Sequence, residues 1–314
     1  MIITVSPKMS NTVTKKDEPL PFVYQFVAGA IAGISELAVM YPLDVVKTRM
    51  QLQSNTVAAE EKYKGLVDCI SRIVKREGFK QLYKGISSPF LMEAPKRATK
   101  FAFNEKFKSI YTDLLGNERK QTVAIISGAS AGAVEASVIV PFELVKVQMQ
   151  DVTCKFDSPV GVLKNIIQKD GILGIYQGLE STVWRHAFWN AGYFGIIFQV
   201  RNSLEAPKTK NEKIRNDLIA GTIGGTMGCV MNTPFDVVKS RIQSNSNQIK
   251  LEDGTIVKKY NWAIPSVLKV YQEEGFRALY KGFVPKIARL GPGGGILLIV
   301  FSTITDFFKE MRQQ

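Results

Sequence analysis

The chain has 314 residues, 22% of them charged and 45% apolar, which excludes a disordered or fibrous protein. Lys and Arg outnumber Asp and Glu by 41 to 28, a net +13, so the partners to consider are nucleic acid, an anionic membrane surface or small acidic molecules. One histidine, His186, and three widely separated cysteines, Cys69, Cys154 and Cys229, exclude a multi-histidine metal site and argue against a disulfide framework, so no metal or cofactor is expected.

In chain order, residues 1–19 lack an apolar core segment and carry no arginine, so neither a secretory signal nor an Arg-rich transit peptide is expected there. The mean hydropathy of +0.00 hides an uneven distribution of charge. Phe22 to Leu43 contains one charge, Glu36. Gly85 to Tyr111 carries Glu93, Lys96, Arg97 and Lys100, and by itself reads as a soluble amphipathic helix. Thr122 to Phe142 contains only Glu135, and Ala187 to Val200, Leu218 to Phe235 and Leu290 to Thr305 contain no charge. About 20 residues of helix cross a hydrocarbon core of about 30 Å. The first, third and fifth of these six segments approach that length, and the others reach it if flanking turns keep their charges inward.

The chain contains three copies of one unit. Pro42-Leu-Asp44-Val-Val-Lys47-Thr-Arg49-Met-Gln51 recurs from Pro141, with Glu143, Lys146, Gln148 and Gln150, and from Pro234, with Asp236, Lys239, Arg241 and Gln243. Glu77-Gly…Tyr83-Lys84-Gly85 recurs as Asp170-Gly…Tyr176-Gln177-Gly178 and Glu274-Gly…Tyr280-Lys281-Gly282. Gly29xxxGly33, Gly128xxxGly132 and Gly221xxxGly225 precede the prolines, and such spacing lets helices pack closely. The expected repeats are 20–115, 116–206 and 207–314, after a tail of 1–19. Each is apolar helix, polar connector with a short amphipathic segment such as Leu66 to Lys75, apolar helix. The Gly85–Tyr111 segment thereby becomes a membrane helix. Six spans put both termini on one side. The connectors hold most of the positive surplus, which orients the bundle and weakens a nucleic-acid reading. The long third connector, Ser244 to Lys259 with its Asp253-Gly254 turn, reads as a solvated loop without chemistry of its own.

In each proline motif the acid and the lysine stand three apart, on one helical face. Around a threefold ring the acid of one helix meets the lysine of the next. A permanently buried ion pair adds little stability, so three in register suggest a switch. Gly291-Pro-Gly-Gly-Gly295 lacks the lysine of a phosphate loop and reads as close packing beside Arg289.

Together the PxDxxKxRxQ motif, the acid-Gly…Tyr-Lys-Gly motif and the repeat length resemble the mitochondrial carrier family over nearly the whole chain. The resemblance implies an all-α barrel of six transmembrane helices in threefold pseudo-symmetry, with short amphipathic matrix-side helices. It implies a monomeric, multi-pass transporter of the mitochondrial inner membrane, not an enzyme, with termini toward the intermembrane space and alternating access. The matrix gate it implies pairs Asp44–Lys146, Glu143–Lys239 and Asp236–Lys47, braced by Gln51, Gln150 and Gln243. Helix starts at Gly85, Gly178 and Gly282 would hold cardiolipin phosphate. Gln148 departs from the motif where a second base is expected. On the cytoplasmic side only Glu105 and Lys108 keep the gate pattern, so that gate is expected to be weak.

Aligning the repeats on those three glycines superimposes Met92, Arg185 and Arg289, then Glu93, His186 and Leu290, then Arg97, Asn190 and Gly294. The first two layers match the family's substrate contacts, and Arg185-His186 matches a pair the family associates with keto acids and carboxylates. Two arginine forks suit the two ends of a dicarboxylate. His186 would donate to a carbonyl or hydroxyl, or make an interhelical hydrogen bond. Glu36 and Glu135 would pair with Lys96, Arg97 or Lys100, or bind a co-transported proton. Glu36, Met92, Glu93, Arg97, Arg185, His186, Asn190 and Arg289 form the expected substrate site. The set most resembles the fungal branch of the family that exchanges 2-oxodicarboxylates, 2-oxoglutarate and 2-oxoadipate. Another di- or tricarboxylate is the alternative.

Overall fold

The computed structural model describes residues 21–53, 62–205, 209–250 and 255–311. The 1–19 tail and the Asp253-Gly254 turn lie outside the described residues. The chain folds as α1 (Phe22–Leu52), α2 (Leu66–Glu77), α3 (Ser87–Leu115), α4 (Lys120–Gln150), α5 (Pro159–Asp170), α6 (Leu179–Ser203) and α7 (Lys210–Gln243). The strands β1 (Gln248–Lys250) and β2 (Ile256–Lys258) follow, then α8 (Ala263–Glu274) and α9 (Phe283–Met311). The six long helices close a ring in which α1 packs on α3, α3 on α4, α4 on α6, α6 on α7, α7 on α9 and α9 on α1.

Among the described residues, α1, α4 and the segment Phe276–Met311 are long and apolar enough to cross a membrane by themselves. The uncharged Leu218–Phe235 run of α7 does not qualify by itself, because its glycines, threonines, Asn232 and Pro234 lower its mean hydropathy. Outward-facing side chains are apolar and exposed, among them Val39, Leu91, Leu218, Leu298 and Ile299. Such a surface is stable against lipid rather than water.

Each repeat buries its own small core at the connector end of the ring. Tyr41, Val45 and Val46 of α1 pack on Cys69 and Ile73 of α2 and on Leu82. Leu144, Val145 and Met149 of α4 meet Val162 and Ile166 of α5. Val238 and Ile242 of α7 meet Tyr260, Val270 and Leu279. The amphipathic helices therefore anchor the ends of the proline-containing helices. Pro42, Pro141 and Pro234 lie inside continuous helices. The helices α3, α6 and α9 begin beside Gly85, Gly178 and Gly282, whose φ of +82, +83 and +80 requires glycine. A side chain there would also strike the neighbouring repeat, since a Cβ on Gly282 would meet the Lys47 carbonyl at 2.9 Å.

Two expectations are corrected. Gly221xxxGly225 does not make the third close helix contact, because a Cβ on Gly221 meets nothing. Its neighbours Gly224 and Gly228 do so instead, against Tyr193 and Trp189 of α6, because the contacting face of α7 is turned by one set of spacings. The third connector is also more than a solvated loop. β1 and β2 pair antiparallel, Gln248 opposite Lys258, and buried Asn247 bonds the Ile242 and Tyr260 carbonyls. Of the five glycine-rich positions after Arg289, only Gly293 is closely packed, against Glu36 and Arg289.

Candidate functional site

The three acid–lysine motifs meet at the connector end. Lys146 Nζ lies 2.8 Å from Asp44 Oδ2, Lys239 Nζ 2.7 Å from Glu143 Oε2, and Lys47 Nζ 2.7 Å from Asp236 Oδ2. These are the three pairs expected, and each joins two different repeats. At the opposite end Glu105 and Lys108 are exposed and form no ion pair among the described residues. There the salt bridge between helices, among the described residues, is the exposed Arg201–Asp217 pair. Among the described residues the buried acid–lysine latch lies at the connector end.

The glutamines do not hydrogen-bond the ion pairs. Gln51 accepts from Ser240 Oγ at 2.7 Å, Gln150 donates to Tyr41 Oη at 3.0 Å, and Gln243 donates to the Gln177 carbonyl at 3.1 Å. Each stands a full turn beyond its lysine, so it reaches the next layer of the structure. The brace acts on helix ends rather than on the charges.

Inside the latch lies a cavity of about 240 Å³. Its wall carries six carboxylates, Glu36, Asp44, Glu93, Glu135, Glu143 and Asp236. Six cations face them, Lys47, Lys96, Lys146, Arg185, Lys239 and Arg289. The protein's own charges therefore balance along this wall, and an entering dianion competes with protein carboxylates for each cation.

The expected substrate arginines are both there, and both already hold gate acids. Arg289 Nη2 lies 3.0 Å from Glu36 Oε1, and its Nη1 contacts Asp44 Oδ1. Arg185 Nη2 lies 3.3 Å from Glu143 Oε1, and its Nε 3.8 Å from Asp236 Oδ1. Glu36 thus pairs with Arg289 rather than with Lys96, Arg97 or Lys100, because α1 packs directly on α9. Lys96 and Arg97 hold Glu93 instead, at 3.2 and 2.7 Å. Glu135 is buried on the cavity wall and forms no salt bridge among the described residues. Met92 and Glu93 line the cavity as expected. Arg97 and Asn190 do not. Asn190 donates to the Gly128 and His186 carbonyls at 3.3 and 2.8 Å, so its amide is spent on joining α6 to α4.

His186 Nε2 stands 3.1 Å from Arg185 Nη2. A guanidinium only donates, so this nitrogen accepts and the proton of the neutral ring sits on Nδ1. Nδ1 faces Gly132 of α4, where a Cβ would lie 3.4 Å away. The ring therefore orients Arg185 and packs against α4.

Two charges escaped the sequence reading. Lys258 on β2 lies 3.1 Å from Asp170 Oδ1 and donates to Gln177 Oε1 at 3.1 Å. In the other repeats that acid pairs with the second base of the proline motif, Arg49 with Glu77 and Arg241 with Glu274. Lys258 replaces the base that Gln148 lacks. Lys286, in the first turn of α9, lies 2.8 Å from Asp236 Oδ2. An intramembrane lysine between Gly282 and Arg289 was the available signal for it. Outside the membrane helices, burial raises the Glu274 carboxyl, but Arg241 and Lys281 outweigh burial and hold it below the usual carboxylate range. Burial pushes the Cys69 thiol up to about 12, so it is unreactive.

The family model described as mitochondrial carrier protein matches residues 18–114, 117–208 and 210–312. The chain is 59% identical over 308 residues to mitochondrial 2-oxodicarboxylate carrier 1 of Saccharomyces cerevisiae, covering 94% of this chain and 97% of that one. It is 59% identical over 310 residues to mitochondrial citrate transporter D of Aspergillus niger, covering 97% and 99%. It is 40% identical over 293 residues to the human mitochondrial 2-oxodicarboxylate carrier, covering 91% and 94%.

Proposed function

The chain belongs to the mitochondrial carrier family, and on that premise we propose that it exchanges 2-oxodicarboxylates, 2-oxoglutarate and 2-oxoadipate, across the mitochondrial inner membrane by alternating access. The observation that carries this reading is the pair Arg185 and Arg289, two guanidinium groups on one charge-balanced cavity wall. Each fork suits a carboxylate in bidentate geometry. A dicarboxylate that takes them, or takes the gate lysines, displaces protein acids from their cations. Binding and gate release are then one exchange of partners. In this reading the connectors face the matrix, the termini face the intermembrane space, and the latched end is a closed matrix gate. Glu105 and Lys108 would form the weak cytoplasmic gate when the other end opens. The transporter works as a monomer, with cardiolipin phosphate at the helix starts beside Gly85, Gly178 and Gly282. Glu180 takes part of the second such surface, beside Gly178, since its carboxylate accepts from the Ala263 amide at 2.8 Å.

Purified protein in liposomes loaded with 2-oxoglutarate tests the reading. Rapid exchange against external 2-oxoglutarate and 2-oxoadipate is expected, and no exchange of either overturns it. The second reading, a tricarboxylate substrate, is favoured by the Aspergillus niger relative and by the three gate lysines on the cavity wall. Faster exchange of citrate than of any oxo diacid would select it.

A further inference from the structure

Each gate acid has a second cation besides its lysine, and the three are not equivalent. For Asp44 it is Arg289, which comes from a different repeat. For Glu143 it is Arg185, on the cavity wall and in the same repeat. For Asp236 it is Lys286, in the same repeat but off that wall, with Arg185 of the second repeat standing farther off at 3.8 Å. Lys286 Nζ is held by three oxygens, Asp236 Oδ2 at 2.8 Å, Thr233 Oγ1 at 3.4 Å and Asn232 Oδ1 in a shorter contact. Its side chain is 13% exposed and that of Asp236 4%. The corresponding positions of the other repeats, four residues past the glycine, are Pro89 and Thr182, neither of them charged.

Lys47 reaches the same oxygen, Asp236 Oδ2, from α1 at 2.7 Å. When the repeats separate, the contact between α1 and α7 breaks, whereas Lys286 and Asp236 move together on α7 and α9. Asp236 then keeps a counter-ion and Lys47 is released into the cavity. Arg185 also belongs to another repeat, so without Lys286 opening would leave the buried Asp236 carboxylate with no cation from its own repeat.

We propose that Lys286 is a resident counter-ion that keeps Asp236 neutralised and oriented while Lys47 passes between Asp236 and the transported carboxylate. This makes it a positioning residue for transport. The proposal rests on the exchange reading above, and wild-type exchange in the same liposomes tests that reading separately.

The test measures maximal exchange rate and KM for 2-oxoglutarate in reconstituted Lys286→Met, Lys286→Gln and Lys286→Arg proteins, with and without Asp236→Asn. Lys286→Met and Lys286→Gln should lower the maximal rate by about ten-fold or more, with KM changed less than about two-fold, because a stranded buried charge burdens opening rather than binding. Lys286→Arg should keep most of the rate. In the Asp236→Asn background, Lys286→Met should cause no further loss, since no carboxylate remains to neutralise. That double variant also removes the unpaired charge, so it stays informative if Lys286→Met does not fold. An equal loss in both backgrounds overturns the proposal. So does a raised KM at unchanged maximal rate, which would make Lys286 a substrate ligand, and so does unchanged exchange in Lys286→Met.

Discussion

Lys258, on the hairpin of the third repeat, sits 3.1 Å from Asp170 of the second. It supplies in trans the charge that Arg49 and Arg241 supply within their own repeats to Glu77 and Glu274. Both partners are about a third exposed, so the pair is screened and contributes about 1 kcal/mol or less. Lys258→Ala is expected to lower the melting temperature of the detergent-solubilised protein slightly. Gln148→Arg in the same chain should restore it, because Gln148 occupies the place of the missing base. A drop that Gln148→Arg leaves uncorrected would show that the hairpin acts through Gln177 instead.

Exchanging the partners of one gate pair should be less well tolerated than a simple ring of three pairs suggests. Asp44 also contacts Arg289, so the combined Asp44→Lys, Lys146→Asp change sets a new cation against Arg289. Recovery should fall well short of wild type, and adding Arg289→Gln should improve gating. Labelling of single cysteines placed at the two ends of the cavity reports which end is open. The wild type should be labelled mainly from the cytoplasmic side, and Asp44→Lys alone should admit label from the matrix side.

Arg185→Ala should reduce exchange by about 30-fold or more, since it removes a cation from two buried acids as well as from the substrate. Arg185→Lys should restore only part, because an ammonium cannot span two oxygens as a fork does. His186→Ala should weaken 2-oxoglutarate and glutarate exchange by similar factors, because the ring holds Arg185 and its Nδ1 faces α4. A selective loss for the oxo acid would instead give His186 a direct contact with the carbonyl. Transport assays with both diacids separate the outcomes.

Glu274 provides a pH-dependent test of the connector structure. Its carboxyl is held below the usual range in the folded protein. Its stabilising contribution is therefore full above the unfolded value of about 4.3 and is lost as pH falls through the lower folded value. Wild type should melt above Glu274→Gln by a constant margin from neutral pH down to about 5, and the margin should narrow at more acid pH. A margin independent of pH down to 3 would mean that packing, not charge, sets the effect.

Much of the architecture was legible in the sequence because it is periodic. Three prolines followed two residues later by an acid and five later by a lysine specify which face of each helix carries charge. Threefold repetition then specifies that these faces meet. The positive φ of Gly85, Gly178 and Gly282 follows the same logic, since each lies where only glycine fits. What repetition could not reveal is where the repeats differ. Lys286 and Lys258 have no counterpart in the other units, so aligning the units passed over them.

The sequence by itself determined the threefold repeat and the acid and lysine that share one face of each proline-containing helix, because these depend on spacing along single helices. Only the tertiary structure decided the second partner of each gate acid. It also decided the diversion of Gln51, Gln150, Gln243 and Asn190 into joining helices, and the pairing of Glu36 with Arg289. Those choices depend on which helices are neighbours and how each is turned about its axis. A rotation of one residue, about 100°, points a side chain at a different helix, and no local spacing encodes it.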